Sequence, residues 1–149
     1  MIFLVAGTKR NLDNYYIVGT VDSTLAALVN FRYTGTIYAA PGVIKHIKKR
    51  HGHELNKKFL DDLLSTIKII INSPDYIGNH PKKMGIGIEF IKKLDTNLLV
   101  GVEVDLDDNY IYVATMHPIV QAKIDIRLNS GRLKKCSTLD SKDDVALTK

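Results

Sequence analysis

The hydropathy pattern changes its period part-way along the chain, and that change constrains the fold more than any other feature. Over residues 56–71 the apolar positions recur as Phe59 and Leu60, Leu63 and Leu64, Ile67, then Ile70 and Ile71. This is the 3.6-residue period of one amphipathic helix, and Asn72-Ser73-Pro74 stops it. After Pro81 the period falls to two. Ile86, Ile88 and Phe90 alternate with Gly87 and Glu89, and Val100, Val102, Val104 and Leu106 alternate with Gly101, Glu103 and Asp105. Residues 110–116 read as another strand, entered through a polar hairpin turn at Asp107-Asp108-Asn109. A fourth is expected over 119–128, where Ala122, Ile124, Ile126 and Leu128 alternate with Lys123, Asp125 and Arg127. Helices followed by a meander predict an α+β fold: N-terminal helices packed on a four-stranded antiparallel sheet, with the other sheet face wet. That wet face would hold Glu89, Glu103 and Asp105. Whether Tyr112 and Ala114, or Thr115 and His117, join them depends on strand register.

Upstream, residues 1–6 and 15–21 read as strands around a loop of turn formers. Asp22-Ser23 offers an N-cap to a short helix over 24–31, and 36–40 is a further strand. Pro41 opens the next helix and Gly52 closes it. Within it Val43, Ile44 and Ile47 share one face; His51 falls inside that arc, while His46 and Arg50 sit together on its flank. A chain of 149 residues suits one domain. We expect it to span 1–136, with an extra N-terminal β-rich segment at 1–34 and a core at 35–135. From 137 to 149 nothing apolar is periodic, so a disordered tail is expected.

Charge is unevenly placed. The net +5 conceals three basic stretches: 41–60 carries +5, 79–93 carries +3 and 123–135 carries +4, which leaves −7 for the rest. Each stretch by itself reads first as a solvated lysine-rich face; three in one small domain point to a polyanionic, phosphate-bearing partner. No apolar run approaches the roughly 20 residues that cross a bilayer, so no membrane association is expected. The single Cys136 cannot form an internal disulfide, which fits a reducing setting, with the cytoplasm expected, or indifference to redox. The opening Met1–Gly7 stretch lacks the basic flank and the length of a signal peptide.

The residues best suited to chemistry are His46 and His51, set in the run His46-Ile47-Lys48-Lys49-Arg50-His51. Two imidazoles that titrate near neutral pH can serve a phosphodiester as general base and general acid. Lys45, Lys49 and Arg50 would hold the crowded phosphate. His51 reads equally as a packed residue complementing the helix dipole in the last turn. Zinc binding by His46, His51 and His53 is disfavoured, since the first two point about 140° apart on a helix and no Cys pair accompanies them. Asp105, Asp107, Asp108 and Asn109 lack the Gly and terminal Glu of a calcium loop. No metal or other cofactor is expected.

The run from Pro41 to His51 resembles the first helix of phage and mobile-element nuclease domains of the Barnase–EndoU–colicin–RelE-like superfamily. Ser73-Pro74-Asp75-Tyr76-Ile77-Gly78, Ile88-Glu89-Phe90-Ile91-Lys92-Lys93, Leu98-Leu99-Val100-Gly101-Val102 and Tyr110-Ile111-Tyr112-Val113-Ala114-Thr115-Met116 follow in the same order. The likeness ends near Gly131-Arg132-Leu133-Lys134-Lys135, covers roughly 35–135, and rests on the order of motifs more than on any one of them. It implies helices before a four-stranded antiparallel sheet, and metal-independent ribonuclease activity in toxins or phage proteins. Carried over by position, it implies catalysis by His46, His51 and Thr115, with Lys92 or Arg127 on phosphate and Lys93 beside them. The implied partners are RNA (tRNA or mRNA) and a cognate immunity or antitoxin protein. The alternative is a non-catalytic RNA- or protein-binding module on the same fold.

Overall fold

The computed structural model of the protein describes residues 2–4, 8 and 10–136; the tail expected at 137–149 lies outside them. Strand β1 (Phe3–Leu4) precedes β2 (Tyr16–Val21), α1 (Ser23–Leu28), β3 (Tyr33–Ala39) and α2 (Pro41–His51). A single 3-10 turn (Gly52–Glu54) leads to α3 (Lys57–Asp61) and α4 (Leu63–Asn72). Then come β4 (Tyr76–Asn79), β5 (Gly87–Lys93), β6 (Asn97–Asp105), β7 (Tyr110–Pro118), α5 (Gln121–Asn129) and β8 (Leu133–Lys135).

Local chemistry explains the element ends. The Asp22 side chain accepts the Leu25 N–H at 2.8 Å and starts α1. Pro41 opens α2. The helix expected over 56–71 is two helices, broken at Asp62, whose backbone (φ −135°, ψ 67°) is not helical and whose carboxylate caps Ser65 N–H at 3.2 Å. The apolar stripe survives the break: Phe59, Leu63, Ile67, Ile70 and Ile71 are all buried.

The expected layout of helices on a four-stranded antiparallel sheet is overturned. Among the described residues one mixed, eight-stranded sheet curls into a half-barrel, in the order β1-β3-β7-β6-β5-β4-β8 with β2 paired to β3. Three physical reasons account for the difference. First, β3 pairs in parallel with β7 through Ile37–Ile111 and Tyr38–Tyr112, which joins the N-terminal strands to the meander. Second, the short β4 and β8 extend the other side, Gly78 lying opposite Leu133 and Glu89. Third, the strand expected over 119–128 is the helix α5. Its Ile124 and Leu128 stand four residues apart, a spacing that fits a helical face as well as an alternating strand. Ile124 is fully buried, yet Ile126, its same-face neighbour in a strand, is 63% exposed.

Helix α5 also covers part of the face expected to be wet. Ile91, Leu99, Ile119, Ile124 and Leu133 form a second core there, apart from the main core under α2 and α4. The β4–β8 contact tolerates no side chain at Gly78, because a Cβ would collide with the Arg132 carbonyl oxygen and sit 3.0 Å from Leu133 Cδ1. Gly78→Ala is therefore expected to cost about 1–3 kcal/mol, the range for overpacking a filled site. Urea unfolding checks it, and a loss below about 0.5 kcal/mol, the level of an ordinary surface change, would show that β8 yields freely.

Candidate active site

Beyond this apolar patch the second sheet face is polar, and strand register defines it. Glu89 of β5 lies opposite Gly101 of β6, which lies opposite Thr115 of β7. One step towards the hairpin, Gly87, Glu103 and Tyr112 form a second row; one step the other way, Leu99 faces His117. Gly101 leaves a gap between the Glu89 and Thr115 side chains, and the Thr115 methyl stands 3.2 Å from where a Cβ would be. Directly opposite residues on neighbouring strands stand about 5 Å apart, so one phosphodiester could span these rows.

Glu89 is 5% exposed and hydrogen-bonds Arg127 Nη1 from α5. Burial raises its carboxyl above the ordinary carboxylate range; Arg127, His117 and Arg132 pull it back in that order, and burial wins. Two guanidinium groups, those of Arg127 and Arg132, thus act on this one carboxylate.

His117 ends the row. Its Nδ1 is 2.8 Å from the Pro118 carbonyl oxygen, which can only accept, so Nδ1 carries the hydrogen and Nε2 keeps its lone pair in the neutral ring. Helix α2 packs against β7 with Ile47 buried, and this brings His51 in its last turn to His117. The two rings lie 5.5 Å apart between centroids, tilted by 40°. Glu54 Oε1 holds His51 Nδ1 at 3.2 Å and also meets His53 Nε2 at 3.5 Å. His51 thus packs at the end of α2, and among the described residues no group hydrogen-bonds its Nε2.

At the hairpin end, Lys83 Nζ reaches both oxygens of Glu103 at 2.9 Å, and the Tyr112 hydroxyl donates to Glu103 at 3.2 Å. Burial, then Glu103, pushes the Tyr112 phenol up to about 12. His80 is pushed below its ordinary value by burial and by Lys83; its Nδ1 accepts the Lys82 N–H, so its hydrogen sits on Nε2. Asp105 takes no part, since its Oδ1 caps the N–H groups of Asp107 and Asp108 in the hairpin turn.

Of the residues singled out in the sequence, the fold brings Thr115 and Arg127 to this face and His51 to its edge. His46, Lys45, Lys49 and Arg50 are exposed on α2 and make no ion pair or side-chain hydrogen bond among the described residues. They form a basic flank on the helix that delivers His51. Lys92 faces the other way: its Nζ bonds the Ser73 carbonyl at 2.7 Å and approaches Asp75 at 3.7 Å. Lys93 is exposed at the far end of β5. His117 and Glu89 were not picked out as site residues by sequence reasoning, and only the β6–β7 and β5–β6 registers give them their places. Among the described residues no group of three or more His, Cys, Asp and Glu is placed to hold a metal ion.

The family model of phage Barnase–EndoU–colicin E5/D–RelE-like nuclease 3 matches residues 16–126. The chain belongs to this nuclease-like family. The matched span runs from β2 into α5 and contains His51, Glu89, Thr115 and His117, with Arg127 directly after it. Membership agrees with the resemblance read from motif order, and a nuclease family implies a nucleic-acid substrate. No curated protein and no solved structure matches the chain. Among the described residues no helix is long and apolar enough to cross a membrane.

Proposed function

We propose that the protein is a metal-independent endoribonuclease that cleaves RNA by transesterification through the ribose 2′-OH. The observation that carries this reading is the His51–His117 pair, two imidazoles 5.5 Å apart whose Nε2 atoms have no hydrogen-bond partner among the described residues, at the edge of a polar face. His117 Nε2 takes the 2′-OH proton as the 2′-oxygen attacks phosphorus. The bond from phosphorus to the 5′-oxygen breaks, and protonated His51 gives its proton to that leaving oxygen. The Glu54 carboxylate is placed to offset the charge of a protonated His51. The products are a 2′,3′-cyclic phosphate and a 5′-hydroxyl. Thr115 and Arg127 supply donors to the phosphate oxygens from the sheet side. Lys45, Lys49 and Arg50 draw the RNA backbone onto the α2 flank, and His46 stands among them rather than at the reacting bond. In this reading the protein acts in the cytoplasm as a phage or mobile-element toxin or effector on tRNA or mRNA, countered by a cognate immunity protein.

Incubating purified protein with RNA in EDTA tests the chemistry. Fragments ending in 2′,3′-cyclic phosphate are the expected result; intact RNA, or 3′-hydroxyl ends, overturns the mechanism. RNA binding that is steep in salt but yields no cleavage identifies a binding module instead.

A further inference from the structure

The second and third basic stretches of the sequence are distant along the chain, yet the fold sets Lys93 and Lys135 on one cleft of about 450 Å³. Tyr76, Asn97 and Gln121 line it with them, together with Asp75. Tyr76 of β4 lies opposite Lys135 of β8 on one side and Ile91 of β5 on the other. The Asp75 carboxylate is already engaged: Oδ2 accepts the Lys93 backbone N–H at 2.8 Å, and Oδ1 lies 3.7 Å from Lys92 Nζ. Both Lys93 and Lys135 are exposed and form no ion pair among the described residues. The Asn97 side-chain amide donates to Gln121 Oε1 at 3.1 Å. An aromatic ring, two exposed lysines and amide groups in a cleft of small-molecule size are the chemistry of a nucleotide site.

This cleft is separate from the Glu89–Gly101–Thr115 row. Ile124 of α5 packs on Ile91 and Leu99 between the cleft and Glu89. Along β5, Lys93 is four residues beyond Glu89, about 13 Å at the usual strand rise. A lysine so placed does not reach a phosphate held over Gly101.

We infer that this cleft binds a second, uncleaved segment of the RNA, with one base against Tyr76 and its phosphate between Lys93 and Lys135. The inference rests on the ribonuclease reading, and it makes the natural substrate an RNA long enough to pass over α5. Binding is measured with 2′-O-methylated single-stranded RNA, which lacks the attacking hydroxyl and stays intact, so binding is read independently of cutting. Lys135→Glu is expected to lower the slope of log affinity against log salt by about 0.7, one single-strand phosphate contact. Lys68→Glu, an equal charge change on the exposed side of α4, is expected to leave the slope unchanged. Tyr76→Leu weakens binding roughly 5- to 100-fold, the range for one lost base stack, and Tyr76→Phe restores it. In cleavage, Lys135→Glu raises KM for long RNA at constant kcat and leaves a dinucleotide substrate unaffected. A slope change no larger than that of Lys68→Glu, or a parallel loss on the dinucleotide, overturns the inference. If the wild type cuts no RNA while binding still depends on Lys135 and Tyr76, the cleft stands and the ribonuclease reading falls.

Discussion

His117→Ala is expected to lower kcat/KM for RNA cleavage by about 10²- to 10⁴-fold, the contribution of one positioned acid or base. The side chain contributes through Nε2, because Nδ1 is tied to the Pro118 carbonyl. His51→Ala should cost a similar factor. Because the two rings act on one proton inventory, the double variant should lose far less than the product of the single losses. His46→Ala separates geometry from composition. It removes a histidine from the same helix, but one exposed on the flank, so its effect should stay within a few fold and fall on KM. Retention of most activity by His117→Ala, with folding verified by circular dichroism, removes the histidine pair from the mechanism.

Much of the framework was legible because short-range chemistry decided it. Pro41 at the start of α2 and the Ile47 face placed that helix correctly, and with it the basic flank and His51. The alternation at Ile88 and Phe90, and at Val100, Val102 and Val104, placed the central strands. Two things were not legible. The spacing of Ile124 and Leu128 satisfies both periods, so α5 read as a strand, and that error exposed Glu89 on paper when the helix in fact buries it. The place of His117 depends on how β6 and β7 pair, and that ladder slips between Gly101 and Val102. An irregularity of one residue moves a side chain to the other face, and nothing in the local sequence announces it. The parallel β3–β7 pairing is equally non-local: it joins Tyr38 to Tyr112 across the whole helical segment.

The Glu89–Arg127 pair should dominate the stability of this face. Arg127→Met leaves the Glu89 carboxylate buried without its hydrogen-bonded countercharge, and the expected loss at neutral pH is about 3–5 kcal/mol. The loss should depend on pH with a definite sign. Burial already holds Glu89 above the ordinary carboxylate range, and Arg127 is the strongest influence pulling it back. Without Arg127 the folded state takes up a proton at a pH where the unfolded chain does not. Stability of the variant therefore rises as pH falls from neutral towards the ordinary carboxylate range, and levels off once both states are protonated. The wild type should show the same direction more weakly. Glu89→Gln in the Arg127→Met background removes the stranded charge, so it should recover most of the loss and abolish the pH dependence. A double-mutant cycle from urea midpoints across that pH range gives the coupling. A loss below about 1 kcal/mol for Arg127→Met, the worth of an exposed pair, would show that water reaches Glu89. In that case α5 does not seal the face, and the corner assigned to phosphate would lose its low-dielectric setting.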